Sequence, residues 1–228
     1  MKGIILAGGK GTRLYPSTKA ISKQLLPIFD KPLVYYPLSI LMLASIKDVL
    51  IISTPYDIGD YEKLLGDGSE LGMHFEYAVQ EQPKGLAEAF LIGEKFIGKD
   101  SVCLILGDNI FENPQTKPVN NVCTVFTKDV PDPERFGVWD DKNSKIVEKP
   151  KEFISNKAVV GLYYLPPKAV TLTNRIKPSA RGELEITDLI NLIAEDEEMR
   201  LIEVDGDWVD AGTFDSLLEA ANMVAKYE

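Results

Sequence analysis

Histidine occurs once, at His74, and cysteine only twice, at Cys103 and Cys123. A single imidazole excludes multi-histidine metal centres and argues against a histidine general base. His74 itself reads as a strand-edge residue. Two thiols inside apolar runs do not make a disulfide framework and read as buried and reduced. No apolar run approaches the ~20 residues that span a bilayer. The amino terminus opens directly in a strand, without a basic n-region or cleavage site, so a cytoplasmic protein with no membrane partner is expected. Cations are also in short supply: 25 Lys and Arg face 35 Asp and Glu, for a net charge of −10. Nucleic-acid binding relies on dense positive charge and is not expected. Internal repeats, linkers and low-complexity tracts are absent as well.

What the chain has instead is a local concentration of cations beside glycines. Lys10, Arg13, Lys19 and Lys23 put four of the 25 cations within fourteen residues. The strand Lys2-Gly3-Ile4-Ile5-Leu6 runs into Ala7-Gly8-Gly9-Lys10-Gly11-Thr12-Arg13. Glycines let the backbone bend tightly and approach a ligand, so that successive N–H groups converge on phosphate oxygens. A P-loop is excluded, because Lys10 is followed by Gly11 and only one residue separates it from Gly8. A dinucleotide fingerprint is excluded too, since Leu14 stands where the third glycine would be. The loop reads as a phosphate cradle of another kind, for a nucleotide or sugar phosphate.

With 228 residues, 45% of them hydrophobic, the chain can bury one sizeable core. Apolar runs alternate with amphipathic segments: strand 2–6, helix 32–44, strand 48–53, helix 58–65, strand 74–79, helix 85–96 and strand 102–106. That alternation predicts an α/β fold with a Rossmann-like mixed, largely parallel sheet flanked by helices. Ligands of such sheets bind at the carboxyl ends of strands, where Gly8 to Gly11 and Gly107-Asp108-Asn109 both fall. Beyond Asp108 the pattern becomes short β-rich pieces at 122–127, 136–139, 145–147 and 158–165, which suit an antiparallel elaboration. Helices are expected at 185–195, capped near Thr187, and at 214–226, with a strand near 201–204. A single domain over 1–228 accounts for these elements.

Three residues add chemistry to the loop. Lys23, in Ser22-Lys23-Gln24-Leu25-Leu26-Pro27, supplies a second point charge for phosphates. Asp108 ends a buried strand where Mg²⁺ could be held beside a nucleotide, and Asp210, in Trp208-Val209-Asp210-Ala211-Gly212-Thr213, is a second carboxylate for the same ion. Thr213 is better placed than Asp210 to cap the helix that follows.

Taken in order, the glycine loop with Tyr15-Pro16, Ser22 to Pro27, Tyr35-Tyr36-Pro37-Leu38, Gly107-Asp108-Asn109, Asp132 to Val138, Glu148-Lys149-Pro150, Arg181 to Asp188 and Trp208 to Thr213 resemble the glucose-1-phosphate thymidylyltransferases. The likeness runs through nearly the whole chain. Ile51 to Pro55, Leu65 to Ser69 and Tyr77-Ala78-Val79-Gln80 narrow it to the thymidylyl branch of the sugar nucleotidyltransferases. The resemblance implies Mg²⁺-assisted condensation of dTTP with α-D-glucose 1-phosphate to dTDP-glucose and pyrophosphate, the entry to dTDP-rhamnose-type deoxysugars. It assigns Arg13, Lys23, Asp108 and Asp210 to catalysis, the two aspartates as metal ligands. Leu6, Gly8, Gly9, Gly11, Thr12, Gln80, Pro83 and Gly85 would join Arg13 and Asp108 around the nucleotide. Gly137, Glu148, Val159 and Tyr163 would surround glucose, with Lys149 and Arg181 on its phosphate. Residues 1–109 would serve mainly the nucleotide and 110–228 mainly the sugar phosphate.

The chain also departs from that family. It stops where longer members continue into a carboxyl-terminal helical segment, and the stretch after Asn109 lacks the helix typical there. A homodimer in preference to a tetramer, with weakened or no feedback, is expected on that basis. Two other readings stay open: a UTP-dependent or other hexose-1-phosphate nucleotidyltransferase, and a non-catalytic sugar-nucleotide-binding regulator.

Overall fold

The computed structural model describes residues 1–9 and 11–227. Strand β1 (Lys2–Leu6) leads through the small hairpin β2 (Pro27–Ile28) and β3 (Lys31–Pro32) to α1 (Tyr35–Leu43), β4 (Asp48–Ser53), α2 (Ile58–Leu65) and β5 (His74–Val79). Helices α3 (Glu88–Ile92) and α4 (Glu94–Ile97) precede β6 (Val102–Leu106) and β7 (Asn109–Phe111). Then come β8 (Cys123–Asp129), β9 (Gly137–Asp140), β10 (Lys145–Glu148) and β11 (Lys157–Leu165). Helices α5 (Lys168–Thr173) and α6 (Ile186–Ala194), strands β12 (Met199–Glu203) and β13 (Trp208–Asp210), and helix α7 (Phe214–Val224) complete the chain.

The chain divides into two compact units. The first comprises Lys2–Pro83, Ile105–Lys117 and Asp205–Glu228. Here β1 pairs with β4 and β4 with β5, all parallel, from Gly3↔Val49 to Ser53↔Val79. β1 and β4 are buried on both faces, which explains why they read as continuous apolar runs. Ala7 N–H donates to Ile52 O at 2.8 Å, Gln80 N–H to Ser53 O at 2.8 Å and Gly107 N–H to Leu6 O at 3.0 Å. These bonds fix the carboxyl ends of neighbouring strands side by side. A second apolar cluster, with Ile28, Leu33, Tyr36, Ile110, Val209 and Met223 among its members, seats α7. Thr213 caps that helix as expected, in a reciprocal box with Ser216.

The second unit is built from Lys84–Leu104 and Pro118–Val204 together with Met1. Its sheet is mostly antiparallel: β11 pairs with β8 and β9, and β9 with β10, while β12 joins β8 in parallel. Phe126 and Tyr164 meet edge to face in the core, with ring centroids 5.4 Å apart. Cys103 and Cys123 are free and buried in β6 and β8, as their apolar neighbours predict.

The expected α/β class, a mixed and mostly parallel sheet with added antiparallel strands, is the one found. Several boundaries differ. The helix expected over 32–44 begins at Tyr35, because Leu33 and Val34 donate their N–H groups to Leu26 and Gln24 instead. The helix expected over 85–96 is two short ones joined at Gly93, and Gly85 has φ +100, outside any right-handed helix. Of Thr187 and its neighbours, Glu185 is the N-cap of α6. His74 opens β5, the outer strand of its sheet, and meets Asp48 at 3.2 Å. Among the described residues no helix is long and apolar enough to cross a membrane.

The buried Phe126 gives a direct test of the second core. Truncation to alanine removes its contact with Tyr164 and leaves a cavity, so Phe126→Ala should cost about 3–5 kcal/mol, read from the urea midpoint at constant slope.

Candidate active site

In the first unit the loop after β1 is shaped by glycines that a side chain would disturb. Gly9 and Gly11 hold φ +112 and +55, a region open to glycine at no steric cost. A Cβ on Gly11 would press on Thr18 at 3.1 Å, and the Thr18 hydroxyl donates to Gly11 O at 2.6 Å. Lys10 lies outside the described residues. Beneath the loop sits a buried polar net. Ser22 Oγ donates to Gln24 Oε1 at 2.9 Å and lies 2.9 Å from the Tyr61 hydroxyl. Ser53 Oγ donates to Ala7 O at 2.8 Å. Burial pushes the Tyr61 phenol well up, so it stays a neutral donor. Sequence reading missed this net, because isolated Ser, Gln and Tyr residues carry no spacing signal.

Gln80 is buried, and its Oε1 would stand 3.5 Å from a Cβ on Gly8, so the bare glycine keeps open the space between loop and carboxamide. Gly9, Lys23, Gln80 and Pro83 line a cleft of about 440 Å³, shared with Tyr15 and Tyr56. Leu6 is buried at the end of β1, and Thr12 and Arg13 lie on the exposed single turn 12–14.

Lys23 carries a charged partner into this region. Lys23 Nζ and the Asp108 carboxylate form an ion pair, with side chains only 11% and 17% exposed. Burial acts to raise Asp108, but the Lys23 ammonium, with hydrogen bonds from Lys23 and Asn109, prevails and holds its carboxyl below the usual range. Strand register brings in the second carboxylate: β13 pairs antiparallel with β7, Asp210 stands opposite Asn109, and Ala211 N–H donates to Asp108 O at 2.9 Å. Arg13 completes the group. A Cβ on Gly212 would fall 2.7 Å from Arg13 Nη2 and 3.3 Å from Asp210 Oδ1, so glycine is what admits the guanidinium. This role of Gly212 was not foreseen, although the residue stands in a motif that sequence reading singled out.

Asp108 and Asp210, carried to neighbouring chain positions by the pairing of β7 with β13, are donors of the kind a magnesium ion takes, one or two protein carboxylates with its other positions left to phosphate and water. Among the described residues no three His, Cys, Asp or Glu side chains cluster as a metal cage.

In the second unit, register collects the residues expected around a sugar. Glu148 of β10 stands opposite Gly137 of β9, and Gly137 opposite Val159 of β11, so the three lie in one row. A Cβ on Gly137 would strike Thr187 at 2.7 Å. Tyr163 lies past an irregularity in β11 and is buried, its phenol pushed up by burial and by the nearby Glu148 charge. Lys149 adopts φ +41, an uncommon backbone state for a lysine, and its Nζ is 3.8 Å from Glu148 Oε1. Arg181 Nη2 donates to Glu148 Oε1 at 3.0 Å and to Glu185, and is ion-paired with Glu183 at 3.3 Å. Thr187 Oγ1 donates to Glu148 Oε2 at 3.2 Å. Gly85 is held by backbone packing, since a Cβ there would fall 2.3 Å from Leu184 O.

A glycine loop, a lysine–aspartate ion pair and a second aspartate thus belong to the first unit. The family model for nucleotidyl transferases matches residues 2–227. The chain belongs to the nucleotidyl transferase family. A glucose-1-phosphate thymidylyltransferase of Neisseria meningitidis serogroup A is 51% identical over 98% of this chain and 82% of its own length. One from Mycobacterium tuberculosis is 46% identical over 100% and 83%. A crystal structure from Bacillus anthracis assigned to glucose-1-phosphate thymidylyltransferase, in complex with sucrose, superposes with TM-score 0.90 at 42% identity, covering 98% of this chain and 94% of that one. A UDP-glucose pyrophosphorylase with UDP-glucose gives TM-score 0.82 at 28% identity, over 100% and 99%.

Two predictions follow from the geometry of this nucleotidyl transferase. Gly212→Ala should displace the Arg13 guanidinium and lower kcat/KM about 10²-fold, the scale of a misplaced charge stabiliser, with the melting temperature held. Glu148 concerns pH. Burial first, then repulsion by Glu185, raises its carboxyl, while Lys149 and Arg181 oppose. The folded state thus binds this proton more tightly than the unfolded one, so its stabilisation is complete below the unfolded value and is lost as pH rises through the folded value. Glu148→Gln should flatten that fall in a series of melts from acid to neutral pH; parallel curves would contradict it.

Proposed function

We propose that the chain condenses dTTP with α-D-glucose 1-phosphate to give dTDP-glucose and pyrophosphate. The observation that carries this reading is the Lys23–Asp108 ion pair beside the glycine loop, in a chain 51% identical to a thymidylyltransferase over 98% of its length.

A sugar-phosphate oxygen attacks the α-phosphorus, a new P–O bond forms, and the bond to the β-phosphate oxygen breaks to release pyrophosphate. Both reactants are anions, so catalysis consists of positioning and charge neutralisation. Backbone N–H groups of Gly8, Gly9, Gly11 and Thr12 cradle the triphosphate beside Leu6. Arg13 takes the leaving β- and γ-phosphates, and Lys23 fixes the reacting phosphates. Asp108 and Asp210 would hold Mg²⁺, which supplies charge neutralisation on phosphate oxygens when bound. Gln80, Pro83 and the backbone at Gly85 read the base edge. Gly137, Glu148, Val159 and Tyr163 contact glucose hydroxyls, and Lys149 and Arg181 its phosphate, the arginine by its planar fork. On this reading residues 1–109 serve mainly the nucleotide and 110–228 mainly the sugar phosphate. The place of work is the cytoplasm, at the entry to dTDP-rhamnose-type deoxysugars.

The likeness to a UDP-glucose pyrophosphorylase favours a second, weaker reading with UTP. Thymine and uracil differ by one methyl group, worth only ~1–3 kcal/mol in a pocket, so UTP should be a poorer substrate and not an inert one. Pyrophosphate release over a panel of nucleoside triphosphates and hexose 1-phosphates tests both, with dTTP and glucose 1-phosphate expected to be the best pair. Lys23→Ala and Asp108→Asn should each lose roughly 10²-fold or more in kcat. Full activity in those variants would overturn the site assignment, and a preference for UTP would overturn the substrate.

A further inference from the structure

Arg181 is surrounded by more negative charge than it can neutralise. Its guanidinium faces Glu148, Glu183 and Glu185, and the three carboxylates are not equivalent. Glu148 and Glu183 have side chains 23% and 37% exposed, whereas that of Glu185 is 7% exposed. Glu185 takes the Nε–Nη2 edge of the fork, with Oε1 at 3.3 Å from Nε and 2.9 Å from Nη2, and Oε2 also 2.9 Å from Nη2. Ser179 locks the carboxylate in turn: its hydroxyl donates to Glu185 Oε1 at 2.6 Å and accepts from Arg181 N–H at 3.2 Å. Glu185 also stands at the N-cap of α6, yet its side chain makes no capping bond. A group at a position that favours capping of the helix is instead committed to one arginine.

From this asymmetry we infer that Glu185 is the positioning residue of the sugar-phosphate half, a role that rests on the assignment of Arg181 to the sugar phosphate. A buried carboxylate on the Nε–Nη2 edge fixes the plane and rotation of the guanidinium. That leaves the Nη1 group, which donates to no other described residue, on a side chain 38% exposed. Two N–H bonds in a fixed plane suit two phosphate oxygens. Glu148 shares Nη2 and is the displaceable partner. A phosphate that draws the guanidinium charge toward Nη1 weakens its hold on Glu148, whose carboxylate then turns to a sugar hydroxyl. Glu185 itself touches no substrate.

The test compares Glu185→Gln and Glu185→Asp with the unaltered chain, by steady-state kinetics and by calorimetric titration with glucose 1-phosphate. Glutamine keeps the volume but presents an NH₂ group to the fork, so the KM and Kd for glucose 1-phosphate should rise about 10- to 100-fold, with the KM for dTTP within about twofold. Aspartate keeps the charge on a shorter stem and should fall between the two. An unchanged affinity for glucose 1-phosphate in Glu185→Gln would overturn the inference. So would a parallel loss of dTTP affinity and melting temperature, the signature of a merely structural residue. If the unaltered chain binds glucose 1-phosphate in a Glu185-dependent way but releases no pyrophosphate, the proposed reaction fails and the positioning role stands. Absence of glucose 1-phosphate binding overturns both.

Discussion

The buried pair of Lys23 and Asp108 is the constraint on which the first unit turns. Neither charge could be taken out of water at low cost without an opposite charge beside it. Paired, each is the other's compensating charge, and the ammonium holds the Asp108 carboxyl below its usual range. Breaking such a pair by deleting one partner leaves the other buried and uncompensated, so loss of function and loss of stability are coupled at these two positions. The neighbouring pieces fall into place around it. Asp108 sits where β6 ends, β7 begins one residue later, and the register of β7 with β13 carries Asp210 in from a hundred residues away.

Much of this was legible in the sequence. Strands β4 and β5 and helix α2 have the bounds expected from hydrophobic pattern, because each is a run of one clear period ended by turn residues. Arg13, Lys23, Asp108 and Asp210 could be picked out as residue types that phosphate chemistry demands. What could not be read is whatever depends on a partner distant in the chain. The β7–β13 pairing joins two three-residue strands, too short for periodicity to register. The early start expected for α1 was wrong because apolarity at Leu33 and Val34 does not reveal that their N–H groups bond to Leu26 and Gln24. Glu185 was passed over within a motif that had been quoted whole, since its value lies in a bond to Arg181 that only folding creates.

The glycines divide along the same line. Gly9 and Gly11 are glycines for backbone reasons, with φ in the left-handed region, and a loop after a strand makes that foreseeable. Gly137 and Gly212 are glycines for reasons of space, the first against Thr187, the second under Arg13. A residue of that second kind cannot be identified without knowing what lies above it. Both stand in the candidate half-sites, where the backbone must leave room for side chains that serve a ligand.

A chain of net charge −10 that handles anions must manage its few cations with care. The two units do so in opposite ways. In the first, Lys23 has one carboxylate partner, Asp108, and the glycine loop adds neutral N–H donors that attract phosphate without adding net charge. In the second, Arg181 is shared among three carboxylates, so an incoming phosphate must compete for it. Competition of that kind lowers affinity for any stray anion, and it favours a ligand that can return the displaced carboxylate something to accept. A phosphate carrying a polyhydroxylated ring does this with hydroxyls set away from the phosphate. Selectivity in the second unit would then arise from an excess of carboxylates around Arg181 and Lys149, a feature that would read as a defect if the site were judged by charge balance alone.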